Sequence, residues 1–411
     1  MTEILKPRTA EDVAEVVGWA VGEKTALELM SGGTKRGLGN AISKNGETRI
    51  LDLSGVSGIT NYEPEELVVS VRPGTLLLDL QEILLNEGQQ LGFEPPDLGP
   101  LYGLPRGRST VGGIVGCNLS GSRRLRAGAV RDYVLGLSCV SGRGETFKCG
   151  GRVVKNVTGY DLCKLLTGSY GTLAALTEVT LKVVPAPEQV STFVLQGLDD
   201  AAAISAMAAG MNSAAEISAA AHIPVELALR VTGGDENTAV SLTALRLEGP
   251  APSVESRLIM LQQMDTFCNL ESTIFANDRS LEFWANVRDV MPFADKPDQV
   301  LWRLSVAPSE GAKVTAAISA QLDASWYYDW AGGLIWISVP GADGDGGCAV
   351  IRNVIAVSGG HATLIRGPDT LRSRVSVFQP QDSSIGRIAQ QIKDAFDPHT
   401  ILNPGRMTAG G

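Results

Sequence analysis

Residues 109–121 read STVGGIVGCNLSG, and this stretch does most to decide the fold. Gly112, Gly113 and Gly116 stand close together in it, with Asn118 just beyond them. Glycine reaches backbone angles that other residues avoid, and it lets main-chain N–H groups come close to an anion. A diphosphate is the natural ligand for such a run. The glycine spacing does not fit the dinucleotide fingerprint of a Rossmann βαβ unit, so that fold is not expected.

A second glycine-rich loop, SGGTKRGLG, occupies residues 31–39. Consecutive N–H groups in such a turn form a cradle for an anion, and Lys35 and Arg36 add positive charge. A pyrophosphate therefore fits this loop. A solvent-exposed turn without a ligand is the alternative interpretation.

Residues 6–185 resemble the FAD-binding domain of the vanillyl-alcohol oxidase, or PCMH-type, flavoproteins. The likeness rests on four motifs, which are loop 31–39, ELVVSVRPG (66–74), the run 109–121 and LNPGRM (402–407). The resemblance extends over nearly the whole chain, and it implies bound FAD.

The resemblance also implies which residues contact the cofactor. They come from four segments and are Ser31, Gly32, Gly33, Thr34, Lys35, Gly37, Ser109, Thr110, Gly112, Gly113, Gly116, Asn118, Gly168, Ser169, Gly171, Val179, Asn403 and Arg406. Arg406 is expected to stabilise negative charge on the flavin pyrimidine. The family usually has a small residue where Lys35 or Arg36 stands. Residues 1–190 contain no histidine, which excludes histidyl attachment there, and the FAD is expected to be non-covalent.

His361 is the predicted general base, and Arg366 is the predicted ligand of a substrate carboxylate. Oxidising a 2-hydroxy acid needs a base for the hydroxyl proton and a cation for the carboxylate, which imidazole and guanidinium supply. Arg303 is a weaker candidate for the same carboxylate, and a structural role for His361 is the alternative. The chain has three histidines and no grouped His and Glu ligands, so no catalytic metal is expected.

The expected architecture is an α+β fold in three parts. A PCMH-type FAD-binding domain is predicted over residues 1–186, with subdomains of about 1–55 and 56–186. Residues 187–360 are predicted to form a cap domain, with one antiparallel sheet and helices on one face, because strand–helix–strand patterns recur there. Residues 361–411 are expected to return to the flavin site.

Composition and charge exclude several classes of protein. A net charge of −10 argues against nucleic-acid binding, which favours a basic face. The first residues have no apolar core flanked by positive charge, so no signal peptide is expected, and no apolar run reaches the roughly 20 residues of a membrane span. A cytoplasmic protein without a transmembrane segment is therefore expected, with any membrane attachment made through partners. The six cysteines form no C-x-x-C pair, so no iron–sulfur cluster is expected on this chain.

Within the family, the likeness is to the FAD-binding subunits of bacterial glycolate oxidase. It rests on KNVTGYDL (155–162), WAGGLIWI (330–337) and SGGHAT (358–363). It implies a subunit that oxidises glycolate or a related 2-hydroxy acid by hydride transfer to flavin. The implied partners are a homologous flavoprotein subunit and an iron–sulfur subunit, which receive the electrons. Two alternatives stay open, a flavin-carrying structural or electron-relay subunit and a stand-alone D-lactate-like dehydrogenase.

Overall fold

The computed structural model describes residues 3–42, 48–152, 159–234, 239–341 and 344–408. Within these ranges the chain forms sheets of three, five and eight strands with helices packed on them, and a small two-stranded sheet of Gln89–Gln90 and Val184–Pro185. The predicted α+β class is confirmed. The first half of the motif KNVTGYDL, residues 155–158, lies outside the described residues.

The first sheet is parallel and three-stranded, in the order β1-β3-β2. Its elements are β1 (Ile4–Leu5), α1 (Ala10–Glu23), β2 (Ala26–Met30) and β3 (Thr48–Asp52). Thr9 caps the start of α1, because its hydroxyl accepts from the Asp12 N–H while the Asp12 carboxylate accepts from the Thr9 N–H. Loop 31–39 follows directly at the carboxyl end of β2.

The second sheet is antiparallel and has the order β4-β5-β9-β7-β8. The elements of this region are β4 (Ile59–Glu63), β5 (Val68–Val71), α2 (Leu77–Asn86), β6 (Gln89–Gln90), α3 (Val111–Cys117), α4 (Arg124–Ala127), β7 (Val134–Ser141), β8 (Thr146–Gly150), α5 (Leu162–Leu166), β9 (Ala174–Lys182) and β10 (Val184–Pro185). The glycine-rich run 109–121 thus forms α3 and its flanking turns.

The third sheet is antiparallel and has the order β14-β11-β13-β12-β16-β17-β15-β18. Its strands and helices are β11 (Gln189–Gln196), α6 (Asp200–Met211), β12 (Ala219–Ile223), α7 (Val225–Val231), β13 (Leu242–Gly249), α8 (Ala251–Gln263), β14 (Ser272–Ala276), α9 (Asn277–Arg288), β15 (Val300–Ser305), α10 (Gly311–Ser319), β16 (Ser325–Asp329), β17 (Leu334–Val339), α11 (Cys348–Ser358) and β18 (His361–Arg366). Because β18 pairs with β15, this sheet extends beyond residue 360. The domain boundaries given above stay predictions.

The two faces of the eight-stranded sheet have different neighbours. Trp302 and Leu304 lie on the face that packs against α6, α8, α10 and α11. Leu301 and Ile365 lie on the other face, here called the inner face, which packs against α7, α9 and residues of the N-terminal region. Helices therefore lie on both faces of this sheet, whereas the sequence pattern indicated helices on one.

Strand alternation places further side chains on the inner face. Arg303 pairs with Thr363, and Ser305 pairs with His361. Directly paired residues of antiparallel strands point to the same side, and residues two apart on one strand do so as well. Since Trp302 and Leu304 point away, these four side chains all project from the inner face.

The C-terminal segment contains α12 (Asp369–Arg372) and α13 (Ser383–Phe396), and it then returns to the first sheet. The buried Asp397 carboxylate accepts from the N–H groups of Ile401 and Leu402, at 2.9 and 2.8 Å. Leu402 forms an isolated parallel bridge with Leu27 of β2. The motif LNPGRM consequently lies beside loop 31–39.

Candidate functional site

A cleft lies between loop 31–39, α3, residues 169–176 and the C-terminal return. The predicted residues that line this cleft are Ser31, Gly32, Gly33, Thr34, Lys35, Thr110, Gly112, Gly113, Gly116, Ser169, Gly171, Asn403 and Arg406. Segments far apart in the sequence thus meet in one place. The contacts of each residue with a cofactor stay predictions.

Five predicted residues are not among those that line this cleft; they are Gly37, Ser109, Asn118, Gly168 and Val179. The ring of Tyr102 packs on Gly37, where a Cβ would overlap it. Asn118 ends α3 in a left-handed conformation with φ of 50°, and Gly168 packs against its side chain. Val179 is fully buried in β9. These residues shape the walls of the cleft.

Lys35 is a cation enclosed by the cleft. Its Nζ donates to Thr34 Oγ1 at 2.9 Å and to Ser109 Oγ at 3.0 Å, and Ser109 Oγ donates to Asp97 Oδ1 at 2.8 Å. Burial lowers the pKa of Lys35 to about 8, with partial relief from nearby Cys117 and Asp97. Lys35 forms no ion pair with any carboxylate of the described residues. A desolvated ammonium of this kind favours an anionic ligand.

Backbone groups approach each other closely around the cleft. A Cβ at Gly32 would overlap the carbonyl oxygen of Arg108, and a Cβ at Gly113 would lie 3.0 Å from Lys35 Cδ. Gly171 has φ of +65°, a left-handed conformation that favours glycine. Bare main chain therefore faces the cleft beside Lys35, which fits a ligand that carries phosphate groups.

Asn403 and Arg406 close one end of the cleft. The Asn403 side chain accepts from a main-chain N–H of β2 at 2.8 Å and donates to the Tyr170 carbonyl at 2.7 Å. Arg406 Nη1 donates to three main-chain carbonyls within residues 36–40, at 2.9 to 3.2 Å, and Arg406 Nη2 lies 3.5 Å from Glu28 Oε1. Both side chains tie the C-terminal return to the cleft wall.

The cleft contains further residues that the sequence pattern did not identify; they are Leu29, Met30, Leu38, Leu53, Pro73, Cys117, Leu166, Tyr170, Ala174 and Leu176. Most are apolar, and they form a wall suited to an aromatic ring system. Cys117 stands inside the run 109–121, and Tyr170 stands between the predicted residues Ser169 and Gly171, so their positions in the sequence were an available signal. Burial raises the pKa of the Cys117 thiol to about 11 and also raises the pKa of Tyr170.

His361 lies at the start of β18, outside the cleft lining, with its side chain exposed. Partial desolvation lowers its pKa, and the guanidinium groups of Arg303, Arg124 and Arg352 lower it further. The imidazole is therefore held in its neutral form at neutral pH, which is the form that accepts a proton. The role of His361 as a base stays a prediction.

Arg366 is buried, and it donates to four main-chain carbonyls, at 2.6 to 3.1 Å. The acceptors belong to Leu101 and to three residues between 293 and 299. These bonds use four of the five N–H donors of the guanidinium. Arg366 thus ties two loops together, and its predicted role with a substrate carboxylate stays a prediction.

The described residues show no grouping of three or more His, Cys, Asp or Glu side chains suited to a metal ion. In the same ranges, no helix is both long enough and apolar enough to cross a membrane.

The comparisons with known proteins agree with the geometry of the cleft. Residues 2–150 match the family described as FAD binding domain. The glycolate oxidase subunit GlcE of Escherichia coli (strain K12) is 32% identical over 401 residues, which cover 97% of each chain. This chain belongs to that PCMH-type family of FAD-linked oxidoreductases. The predicted family is confirmed, and FAD is the cofactor.

Other family members are similar over part or all of the chain. The glycolate oxidase subunit GlcD of Bacillus subtilis (strain 168) is 27% identical, over 99% of this chain and 88% of its own. A D-lactate dehydrogenase of Anaerostipes hadrus is 35% identical, over 48% of this chain and 40% of its own. Among solved structures, an alkyldihydroxyacetonephosphate synthase superposes with a TM-score of 0.72 and 17% identity, over 98% of this chain and 75% of that one. At that identity the superposition shows the fold alone, and the predicted PCMH-type fold is confirmed.

Proposed function

We propose that this chain oxidises glycolate or a closely related 2-hydroxy acid to the 2-oxo acid, with FAD bound in the cleft. One observation carries the proposal. Leu38, Cys117 and Tyr170 line the cleft and also pack against the inner face of the large sheet, from which His361 projects. A small acid at this junction has the cleft on one side and a neutral imidazole on the other. The names of the relatives, glycolate oxidase subunits and a D-lactate dehydrogenase, support a 2-hydroxy acid as the substrate class.

The cleft residues divide between the two ends of the cofactor. Lys35, Thr34 and the bare main chain at Gly32 and Gly113 would hold the phosphate groups, because they offer a cation, a hydroxyl and amide groups. The apolar wall would hold the ring system, with Arg406 near one edge. Bound FAD supplies the acceptor for a hydride from the substrate.

His361 would take the proton of the substrate hydroxyl. As the C–H bond at the α-carbon breaks, its electron pair leaves with the hydrogen as hydride, and the O–H electron pair forms the C=O bond. The proton remains on His361, so the 2-oxo acid leaves with two electrons and two hydrogens fewer than the 2-hydroxy acid. A neutral imidazole in a cationic setting is available for this step at neutral pH.

We further propose that the chain works in the cytoplasm as one subunit of a complex, and that it passes electrons to a homologous flavoprotein subunit and an iron–sulfur subunit. The support is that two relatives matched over most of their length are themselves named as subunits of glycolate oxidase. No candidate cluster ligands come together in the described part of this chain. Co-purification of a tagged chain from cells would reveal the partners, and a chain that purifies alone would contradict this part.

The alternative function is a flavin-carrying relay subunit without substrate oxidation. It is favoured by the commitment of Arg366 to main-chain carbonyls, which leaves His361 without its predicted companion. Anaerobic mixing of glycolate with the purified yellow chain, alone and then with its partners, separates the possibilities. Flavin reduction in the isolated chain supports oxidation by this subunit. Reduction of this flavin only through a partner's flavin supports the relay.

Acid precipitation should release the flavin, because attachment is proposed to be non-covalent.

A further inference from the structure

Arg124 and Arg303 share one aromatic ring at the junction between the N-terminal region and the large sheet. Their guanidinium carbons lie 4.8 and 4.9 Å from the ring centroid of Trp330. The ring is 5% exposed, and its Nε1 donates to the Gly121 carbonyl at 3.0 Å. Arg124 comes from α4 and Arg303 from β15, so each side of the junction contributes one cation.

Neither guanidinium has a hydrogen bond or an ion pair within the described ranges. The contrast with the neighbouring Arg246 is clear, because Arg246 is held by Glu94 at 2.7 and 2.9 Å. Burial and, to a lesser degree, the nearby charge of Arg124 lower the pKa of Arg303 to about 10. Stacking on Trp330 offsets part of this cost for both cations. An anion between them would offset more.

Among the described residues, no carboxylate forms an ion pair with either guanidinium. Asp132 near Arg124 and Asp329 near Arg303 act only at longer range, each raising the pKa of its arginine against the effect of burial. Asp329 is the acidic side chain nearest in sequence to Trp330, but its Oδ2 accepts from Ser122 Oγ at 2.8 Å and its Oδ1 from the Trp330 N–H at 2.7 Å. Burial raises the pKa of Asp329 to about 7, so it carries only part of a negative charge at neutral pH. The two arginines therefore lack a full counter-ion in the described structure.

Arg124 and Arg303 lie near the place where the substrate is proposed to bind. Arg303 projects from the inner face beside Thr363, and His361 is its diagonal neighbour on the same face, at roughly 7–8 Å for such positions. Tyr170, which lines the flavin cleft, packs against the same face. Arg303 is close enough to influence the pKa of both His361 and Tyr170.

We propose that Arg303 and Arg124 bind the carboxylate of the acid substrate between the inner face and the flavin cleft. The identity of the anion rests on the proposed function, whereas the existence of an anion site rests on the unpaired arginines. Two guanidinium groups suit a carboxylate because each offers a planar set of N–H donors. The α-carbon and hydroxyl of a bound acid would then extend toward His361 and the cleft.

Oxalate is a suitable probe because it has the carboxylate but no α C–H bond, so it cannot be oxidised by hydride loss. Binding to the FAD-loaded chain is followed by the flavin absorbance and by the NMR resonances of the imidazoles. The chain has three histidines, so the signal of His361 is assigned with the single variant His361→Gln. The charged groups near His361 are Arg303 on β15, Arg124 on α4 and Arg352 on α11. Oxalate should raise the pKa of His361, since it neutralises the first two.

The variants are Arg303→Gln and Arg124→Gln, with Arg126→Gln as the matched control on the exposed side of α4. We expect each of the first two to weaken oxalate binding by roughly 10-fold or more, the scale of a lost charge-assisted hydrogen bond. The control should bind as the wild type does. Arg303→Lys keeps the charge and should bind between the wild type and Arg303→Gln, which also covers the case in which Arg303→Gln does not fold.

Unchanged oxalate binding in both glutamine variants, or no saturable binding by the wild type, would overturn the proposed site. The same proteins are also mixed with glycolate under anaerobic conditions. If oxalate binding depends on both arginines but glycolate does not reduce the flavin, the anion site is supported and the proposed function is rejected. Flavin reduction with an unchanged KM in both variants would keep the function and reject the site.

Discussion

Arg246 of β13 and Glu94 of the N-terminal region form a two-bond ion pair, with N–O distances of 2.7 and 2.9 Å. Arg246 is 1% exposed and stacks over Trp284 at 4.7 Å. Beside it, Arg123 pairs with Glu248 across the same junction. These pairs connect the large sheet to the N-terminal region.

Replacing Glu94 with glutamine should destabilise the protein strongly. The change removes the two-bond partner of the buried Arg246 and leaves only Glu248, whose Oε1 lies 3.8 Å from Arg246 Nε. Breaking a buried pair in this way costs up to about 3–5 kcal/mol. Urea unfolding followed by circular dichroism would show the lower midpoint. Glu310→Gln is the control, because its pair with the exposed Lys313 should contribute less than about 1 kcal/mol.

The same pair predicts a pH dependence. Burial raises the pKa of Glu94, but Arg246 and the nearby Arg123 and Arg288 outweigh burial and lower the pKa to about 2. A carboxyl whose pKa is lower in the folded state stabilises the fold fully above its unfolded pKa of about 4.5 and loses that contribution as the pH falls toward 2. Between about pH 5 and 3, the free energy of unfolding should therefore fall more for the wild type than for Glu94→Gln. An equal fall in both proteins would contradict the assignment.

Lys35 should make FAD binding depend on pH. The pKa of Lys35 is lowered to about 8 by burial, and an anionic ligand favours the charged form. Above that pKa the free protein must take up a proton to bind, so the Kd for FAD should rise by up to about tenfold per pH unit. Equilibrium titration of apoprotein with FAD, from about pH 7 to pH 9, measures the Kd on both sides of the Lys35 pKa. Lys35→Met should bind FAD more weakly, and its Kd should no longer depend on pH in this range. Lys148→Met, at an exposed position, should keep the wild-type affinity and the wild-type pH dependence.

Gly113→Asp should abolish FAD binding while the fold is retained. A Cβ at this position would lie 3.0 Å from Lys35 Cδ. The new carboxylate would therefore form an ion pair with the Lys35 ammonium in place of the diphosphate, and it would repel the diphosphate. Flavin content after purification, together with far-ultraviolet circular dichroism, tests both parts. Gly113→Ala adds the methyl group without the charge and should lose less flavin. Full flavin content in Gly113→Asp would show that the run serves only as a structural turn.

His361→Gln should keep FAD but slow glycolate-dependent flavin reduction by roughly 10²-fold or more, the usual effect of removing a general base. Stopped-flow absorbance at the flavin band measures the rate. His399→Gln is the control, because His399 is exposed on the segment after α13. A wild-type rate in His361→Gln would remove this residue from the reaction.

Arg366→Lys should lower stability. A lysine offers one ammonium where the guanidinium reaches four carbonyls in two loops, so several buried acceptors lose their donors at about 1 kcal/mol or more each. Thermal unfolding would report the loss. If stability is unchanged and only the KM for glycolate rises, Arg366 acts on the substrate as the sequence suggested.

The parts of the fold that depend on local chemistry were predictable from sequence. The capping box at Thr9 begins α1, and β7 covers Val134–Ser141 as its apolar pattern indicates. The glycine-rich segments lie in the cleft because their conformations depend on the residues themselves. Tyr170 and Cys117 were missed, although they stand within those segments, because the prediction weighed only small and polar residues.

The sequence by itself determined the family, the cofactor and most of the cleft lining, because contiguous motifs carry that information. Only the tertiary structure decided which of two nearby arginines keeps its guanidinium without a hydrogen bond in the described ranges. Arg303 lies within β15 and Arg366 ends the neighbouring β18, yet Arg303 stacks on Trp330 and Arg366 donates to main-chain carbonyls. That difference arises from strand register, from a bulge beside Leu301 and from packing against residues almost 200 positions earlier, none of which a local sequence pattern contains.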